Sequence, residues 1–488
     1  MLFYGFLCLF LAGRARLSGP PSATDGGTEE PPAPIVGHGR TGALGALDPL
    51  GSDLGGGGLD RRSVLSSVAT TLTTAAAALD PAAKQSGPSK SDTYWPLWPA
   101  LPIFPFSQRK TLVREAADGV WTFDQLIGIY YVHVPIRMTV VAMKESRGLL
   151  VYAPVAATKD CLDQLRPLIE EHGPVRYIVL PSVAVEHKVL AGPFARRFPE
   201  AEFYVTDQQY SFPVGLPDRA LGFPSWTKPL PPSSRGGPPM WGGEFEHEVL
   251  TVKPGVGSMY QDVALFHGPS KTLLVCDALL ATTEEPPPLL TRELEYVKAL
   301  LFHARDSPGE IVEDTPEARR KGWRRIVLLF NFFIPLHSAR VDLGVKPLLA
   351  LDPSYELGWG GWMPFSWSPA AEAESFAAYS ANGTPTVYTI VQIILSRGNS
   401  GEATLAWVDR VKEWPFRRVV PAHLDAPLAI GPEEFSATYD FLRRGENEVR
   451  YCDEDVLVLR KAEEGPLNFS VYPSALGTLR GRACDVPK

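Results

Sequence analysis

Four side chains with metal-binding groups follow short apolar runs in this sequence. Two are carboxylates and two are imidazoles, and such nitrogen and oxygen donors suit zinc, iron or manganese, with zinc bonds of about 2.0–2.2 Å. The apolar runs predict strands, and strand ends in α/β proteins meet at one edge of a sheet. The sequence therefore predicts a site for one metal ion. Its residues are Glu186 and His187 after residues 177–180, Asp277 after residues 272–276, and His423 after residues 419–420.

Each of these residues also has an ordinary structural interpretation. Glu186 could be a solvated loop charge, and His187 could cap a helix that begins at Val189. Asp277 suits a turn after a strand, and His423 lies in a common loop composition. Taken singly, each residue is more readily structural, so the metal hypothesis depends on the set. The other histidines rank lower because they lie in apolar strands, beside charges, at helix ends or in the N-terminal segment: His38, His133, His172, His247, His267, His303 and His337.

Strand and helix patterns alternate through most of the chain, which predicts a layered α/β sandwich. The first half contains a predicted hairpin (129–143 and 149–155), a helix (158–172, with Thr158 as N-cap), a strand (177–180), a helix (189–198) and a strand (202–206). The second half contains predicted strands (249–252, 263–267, 272–276 and 418–421) and helices (385–396, 403–414 and 432–444).

The domain organisation follows from changes in composition. Residues 1–90 predict a targeting leader, residues 91–450 the folded domain, and residues 451–488 a C-terminal extension. Within the domain, residues 281–384 are irregular in pattern and contain a proline cluster, a charged helical segment and several tryptophans. We interpret them as an insertion or cap.

The leader has two segments that are typical of targeting signals. Residues 2–12 have the length of a signal-peptide core, and Arg61-Arg62 precede an alanine-rich stretch, as in a twin-arginine export signal. Two signals in tandem predict transport to a plastid (chloroplast), which passage into the thylakoid lumen could follow. A disordered leader rich in Ala and Gly is an equally good interpretation.

Composition argues against several classes of partner. The formal net charge is −8 and no long run of Lys or Arg is present, which disfavours nucleic-acid binding. The longest apolar runs, 2–12 and 326–336, are shorter than the roughly 20 residues that cross a bilayer, so no membrane span is expected in the mature chain. The five cysteines lack C-x-x-C spacing, and Cys452 and Cys484 could pair if the fold brought them together.

Six stretches of the sequence are distinctive: YWPLWPALPIFPF, VPIRMTVVAM, LLVYAPVAATKDCLDQL, LPSVAVEHKVLAGPFARRFPEAEFYV, PSKTLLVCDALL and VVPAH. Together they resemble a family of domains of unknown function from photosynthetic organisms that is related to the metallo-β-lactamase superfamily. The similarity covers most of residues 94–444. It implies an αββα sandwich in which metal ligands lie on loops along one edge.

The metal motifs of that superfamily are only partly present. Ser182 and Ala184 stand where the first two histidines of H-x-H-x-D-H fall, and Val256 stands where a third histidine falls. The resemblance therefore implies that the site of three histidines is lost and that a second site remains. The retained positions are Glu186 in place of an aspartate, His187, Asp277 for the bridging aspartate, and His423 for the final histidine.

Two functions remain open at this point. One is a metal-dependent hydrolase of an unknown small-molecule substrate in the plastid, with one zinc, iron or manganese ion as cofactor. The other is a non-catalytic binding or assembly protein that kept the fold and contacts a plastid protein through aromatic residues of the cap, Trp359, Trp362 and Trp367. Redox chemistry at a single iron is compatible with the same ligands but has no separate support.

Overall fold

A computed structural model describes residues 109–128, 131–209, 217–219, 221–237, 240–255, 259–342, 363–464 and 474–484. The predicted leader, Val256, Trp359 and Trp362 lie outside these ranges. Within them, no helix combines the length and the apolar character that crossing a bilayer requires.

Fifteen strands are present in the described residues. They are β1 (Leu112–Ala117), β2 (Val120–Ile127), β3 (Val134–Met143), β4 (Gly148–Tyr152), β5 (Val175–Leu180), β6 (Glu202–Thr206), β7 (Lys228–Leu230), β8 (Phe245–Val252), β9 (Tyr260–His267), β10 (Thr272–Val275), β11 (Ala339–Val341), β12 (Phe365–Trp367), β13 (Arg418–Pro421), β14 (Glu448–Cys452) and β15 (Arg480–Arg482).

Two of the sheets are large. The first has the order β1-β2-β3-β4-β5-β6-β7 and changes from antiparallel to parallel pairing at β4. The second has the order β13-β10-β9-β8, and its β10–β13 pair is parallel. Two small pairs, β11-β12 and β14-β15, complete the described strands.

The two large sheets pack face to face. Side chains alternate along each strand, so Leu150 and Val179 of the first sheet meet Leu274 of the second in a core between the sheets. The hydroxyl of Tyr152 donates a hydrogen bond across this core to the carbonyl of Val263 at 2.6 Å. The intervening residues of the same strands face the helices on the outside.

Helices cover the outer faces of both sheets. Leu165 and Phe194, on α1 and α2, are buried on the first sheet, and Trp407 on α8 donates to the carbonyl of Glu248 on β8 at 3.1 Å. The predicted αββα sandwich is therefore confirmed. The helices are α1 (Lys159–His172), α2 (Val185–Ala195), α3 (Pro288–Arg292), α4 (Leu294–Ala304), α5 (Pro316–Phe332), α6 (Pro369–Ser380), α7 (Thr389–Leu395), α8 (Ser400–Val411), α9 (Pro432–Ala437), α10 (Asp440–Arg444) and α11 (Asp453–Glu464).

Several predicted elements are confirmed closely. Strands β6 and β13 agree residue for residue with the sequence prediction. Helix α1 begins after Thr158, whose hydroxyl accepts a hydrogen bond from the backbone N–H of Cys161 at 3.2 Å, as expected of an N-cap. The single helix predicted for 432–444 is instead two short helices, α9 and α10.

The segment 281–384 is more regular than its sequence pattern suggested. Its longest helix, α5, has Thr315 as N-cap and buries Trp323 and Ile326. The apolar period of α5 is hard to see in the sequence because a charged residue occupies one of its buried positions. That residue is Arg325, which forms an ion pair with Glu372 on α6. The interpretation of this segment as a cap stays a prediction.

The C-terminal residues pack against the main core. Tyr451, Val456 and Leu479 are buried in the same apolar cluster as the outer helices. Cys452 and Cys484 form a disulfide across a sequence separation of 32 residues, so the pairing that the sequence allowed is present. The division between the folded domain and a C-terminal extension, predicted at residue 450, stays a prediction.

Candidate metal centre

Two of the four predicted ligands leave neighbouring parallel strands. Asp277 lies two residues after the end of β10, and His423 lies two residues after the end of β13. Because β10 and β13 pair in parallel, both side chains emerge at the same edge of the second sheet. The convergence that the sequence predicted at strand ends is therefore present for this pair.

The other two predicted ligands lie on a helix and not in the predicted loop. Helix α2 begins at Val185, so Glu186 and His187 are in its first turn. The loop prediction was wrong here because the helix starts without a capping side chain: its N-cap is Ala184, which gives the sequence no start signal. An acidic residue in the first turn also suits the helix dipole.

The four predicted side chains meet in one place, which we call the strand-end site (Glu186, His187, Asp277 and His423). The Nε2 atoms of the two histidines are 3.1 Å apart. Asp277 Oδ1 is 3.4 Å from His423 Nε2 and 3.9 Å from His187 Nε2. A carboxylate oxygen of Glu186 lies within 4.8 Å of ligand atoms of Asp277 and His423.

These distances fit a single metal ion. One point lies about 2.0 Å from the two Nε2 atoms and from Asp277 Oδ1, which is the bond length of zinc to imidazole and carboxylate donors. The site is also enclosed, since His187, Asp277 and His423 are each at most 5% exposed.

The two imidazoles of the site differ in protonation. Burial lowers the pKa of His187 to about 4, so its imidazole is neutral near pH 7. Burial lowers the pKa of His423, but its hydrogen bond to Asp277 and the charge of that carboxylate outweigh burial and raise the net pKa above its ordinary value, so a metal ion would have to displace the Nε2 proton. Burial raises the pKa of Asp277, but the hydrogen bond from His423 and the adjacent imidazoles outweigh burial and hold the net pKa below its ordinary value. His423 has its Nδ1 2.7 Å from the carbonyl of Pro135, so Nδ1–H donates there and Nε2 faces the site.

A buried carboxylate organises the turn that carries Asp277. Asp262 on β9 is fully buried and accepts hydrogen bonds from three consecutive backbone N–H groups, those of Cys276 (3.0 Å), Asp277 (2.5 Å) and Ala278 (2.8 Å). Burial, together with the charge of Asp277, raises the pKa of Asp262 to about 7. Asp262 was not among the predicted site residues, although an acidic residue inside an apolar strand was a usable signal.

A buried arginine organises the loop that carries His423. Arg137 on β3 is 1% exposed and donates to the carbonyls of Pro421 at 2.7 Å and Leu424 at 2.9 Å. Its Nε is 2.6 Å from Asp124 Oδ1, so the cation is paired. The arginine in the stretch VPIRMTVVAM was the missed signal.

Three further side chains border the site. The hydroxyl of Ser182 donates to Asp277 Oδ2 at 3.1 Å. The ring of Tyr388 is 6.3 Å from that of His423, and its buried hydroxyl has no hydrogen-bond partner in the described part of the chain. Cys276 also lies near His187 and Asp277, but burial holds the pKa of its thiol well above the ordinary value.

The sequence matches one known protein family. The family model is described as "Domain of unknown function (DUF4336)", and it matches residues 117–441, more than half of the 488-residue chain. The chain belongs to this family. All four residues of the strand-end site lie within the matched span. A comparison with curated proteins found no match.

Similar solved structures include flavodiiron and metallo-β-lactamase proteins. A metal-soaked Flv1 flavodiiron core from Synechocystis sp. PCC6803 is 9% identical, with a TM-score of 0.36 over 78% of this chain and 73% of that chain. A metallo-β-lactamase from Hirschia baltica is 9% identical, with a TM-score of 0.33 over 68% and 98%. One from Pontibacter korlensis is 12% identical, with a TM-score of 0.32 over 68% and 99%. At these TM-scores the assignment of the fold rests on the sheets and helices described above.

Proposed function

We propose that this protein is a metal-dependent hydrolase whose strand-end site binds one divalent metal ion. The observation that carries the proposal is the common point about 2.0 Å from His187 Nε2, His423 Nε2 and Asp277 Oδ1. Glu186 is the proposed fourth donor: its carboxylate is within 4.8 Å of the ligand atoms of Asp277 and His423, and binding the same ion would require it to lie within about 4 Å of them. Zinc, iron and manganese all accept such nitrogen and oxygen ligands.

The residues of the chain have distinct roles in this proposal. When bound, a divalent ion acts as a Lewis acid that polarises a substrate oxygen and makes a water molecule more acidic. His187 presents a neutral nitrogen donor, whereas His423 would become one only on giving up the Nε2 proton that it donates to Asp277. The Ser182 hydroxyl fixes the Asp277 carboxylate through its other oxygen. Burial and the charge of Asp277 keep the pKa of Tyr388 well above its ordinary value, so its hydroxyl stays a hydrogen-bond donor for a substrate oxygen.

A second function is favoured by the near-complete burial of the ligands. Structural metal sites are closed, whereas catalytic sites keep a position open to water or substrate. With His187 fully buried and His423 1% exposed, an ion held here would also serve a non-catalytic binding or assembly protein. A proton on His423 Nε2, shared between Asp277 and His187, is a metal-free account of the same distances.

Elemental analysis of the purified full-length chain separates these accounts. We expect about one zinc, iron or manganese ion per chain, lost in His187→Ala. His247→Ala is the matched control, because His247 is fully buried but bonds to the carbonyl of Pro231 outside the site. A folded, metal-free wild-type chain would contradict the metal proposal.

A hydrolase screen then separates the catalytic from the non-catalytic account. Ester, amide and phosphoester substrates are offered to the metal-loaded chain and to Tyr388→Phe. Loss of a transition-state hydrogen-bond donor typically lowers kcat by about 10²–10³-fold. A metal-loaded chain that hydrolyses none of the three classes would favour the binding protein.

We also propose that the protein acts in a plastid, where its partner is a small-molecule substrate or a plastid protein. The tandem signals in residues 1–90 support this localisation, and the Cys452–Cys484 disulfide is typical of proteins that leave a reducing compartment. A fusion of residues 1–90 to a fluorescent protein tests the proposed localisation. Fluorescence in the cytosol would contradict it, and a plastid signal would support it.

A further inference from the structure

A second group of metal-binding side chains lies on elements that do not contribute to the strand-end site. We call it the sulfur cluster (His337, Glu374, Cys452 and Cys484). One ligand atom from each of the four residues lies within 4.8 Å of the others. His337 is in the turn after α5, Glu374 is on α6, Cys452 ends β14, and Cys484 follows β15.

The imidazole and the carboxylate of the cluster already face each other. His337 Nε2 is 3.3 Å from Glu374 Oε2, and the His337 side chain is 1% exposed. The other oxygen of Glu374 accepts a hydrogen bond from Arg482 at 3.1 Å. The two sulfurs beside this pair are joined in the disulfide.

Contacts other than the disulfide hold the imidazole side of the cluster. The fully buried carboxylate of Asp455 accepts hydrogen bonds from the backbone N–H of His337 at 3.0 Å and from the hydroxyl of Ser375 at 2.5 Å. Ser375 is the neighbour of Glu374 on α6. These hydrogen bonds position the backbone of His337 and the residue next to Glu374 by contacts other than the bond between the sulfurs.

We propose that the sulfur cluster is a redox-controlled zinc site. In the oxidised chain the two sulfurs are bonded to each other and cannot act as thiolates. A dithiol reductant gives two electrons and two protons to the disulfide, leaving two thiols and a cyclic disulfide of the reductant. Zinc then binds the two thiolates, His337 Nε2 and a Glu374 oxygen, and the two thiol protons pass to solvent.

The donor set selects zinc over harder cations. Two thiolates and an imidazole form the core of common structural zinc sites, whereas calcium and magnesium prefer sites made only of oxygen. The guanidinium of Arg482 offsets part of the negative charge that three anionic ligands would bring. The proposal does not depend on the function proposed for the strand-end site, because the two groups share no residue.

The test compares zinc content in the two redox states of the full-length chain. A water-soluble phosphine reduces the disulfide, taking up a water oxygen to become a phosphine oxide and leaving two thiols, and it adds no competing thiol. After removal of loosely bound metal, we expect the reduced chain to hold one more zinc ion than the oxidised chain. Equal zinc contents, with the two extra thiols verified by titration, would overturn the proposal.

Two variants keep the test independent of folding defects. His337→Gln leaves the disulfide intact, so its oxidised form should stay folded, which thermal unfolding of the oxidised chain checks. After reduction, its affinity for the additional zinc should fall by more than the roughly 10–100-fold that loss of an outer hydrogen-bond partner costs. His172→Gln is the matched control: it is the same exchange on α1, where His172 lies beside Glu171 and outside the sulfur cluster, and it should keep the additional zinc. Retention of that zinc in reduced His337→Gln would also overturn the proposal.

Discussion

The strand-end site and the sulfur cluster are built from similar numbers of donors but are organised in opposite ways. In the strand-end site, the fold holds donors apart around a common point, through Asp262 behind Asp277 and Arg137 behind His423. In the sulfur cluster, the two softest donors are bonded to each other. The first group therefore needs only an ion, whereas the second needs electrons before it can bind one.

Removal of Asp277 is expected to have the largest effect. Asp277→Ala deletes a ligand that is 3.4 Å from His423 Nε2, so the strand-end site should lose its metal completely. The sulfur cluster should be unaffected, and the reduced variant should still take up one zinc ion. Elemental analysis of the oxidised and reduced variant measures both. If Asp277→Ala lost the zinc of both groups, the two sites would not be independent.

Removal of Arg137 tests whether this buried arginine holds the loop that carries His423. Arg137→Met leaves the carbonyls of Pro421 and Leu424 without their buried donor, and each unsatisfied group costs about 1–3 kcal/mol of unfolding free energy. Asp124 keeps its ion pair with Arg114. Denaturant unfolding measures this loss. Arg166→Met is the control, because Arg166 is 66% exposed and its pair should contribute less than about 1 kcal/mol. Equal losses in both variants would show that Arg137 does not anchor the His423 loop.

The disulfide should stabilise the oxidised chain. The double variant Cys452→Ser and Cys484→Ser opens a loop with a sequence separation of 32 residues, for which loop-closure entropy predicts a loss of about 3–4 kcal/mol. Wild type under a phosphine reductant should show the same loss without zinc and recover part of it with zinc. The double variant should not respond to zinc in this way. A zinc response in the double variant would place that zinc elsewhere.

The sequence was sufficient to predict one half of the strand-end site. The apolar runs that form β10 and β13 are short and are followed by residues that can bind metal. Because strand ends in α/β proteins meet at one edge of a sheet, the sequence predicted that Asp277 and His423 would lie close together. Their parallel pairing made the prediction right. Glu186 and His187 were placed with the same two residues but on the wrong kind of element, because the N-cap of α2 is Ala184, which makes no side-chain capping bond and gives no start signal.

The supporting residues could not be predicted in the same way. Arg137 donates to the carbonyl of Pro421, 284 residues later in the chain, and no local period carries that information. His337 and Cys452 belong to separate segments whose meeting depends on the packing of α5, α6 and β14. Local patterns thus predicted elements and strand ends, whereas the long-range polar contacts appeared only in the fold.

Replacement of Asp262 should have the smallest of these effects and is the sharpest test of how the fold prepares the strand-end site. Asp262→Asn keeps the size of the side chain but exchanges one acceptor oxygen for an NH₂ group, which cannot accept the N–H bonds of Cys276, Asp277 and Ala278 together. We expect metal affinity at the strand-end site to fall by about 10–100-fold, the usual cost of losing an outer-sphere partner, with the metal stoichiometry unchanged at saturation. Competition with a chromogenic chelator measures the affinity, and Asp163→Asn, on the exposed face of α1, is the control. An unchanged metal affinity in Asp262→Asn would mean that the turn after β10 holds Asp277 in position without the Asp262 carboxylate. Metal binding at the strand-end site would then not depend on the three hydrogen bonds that Asp262 accepts.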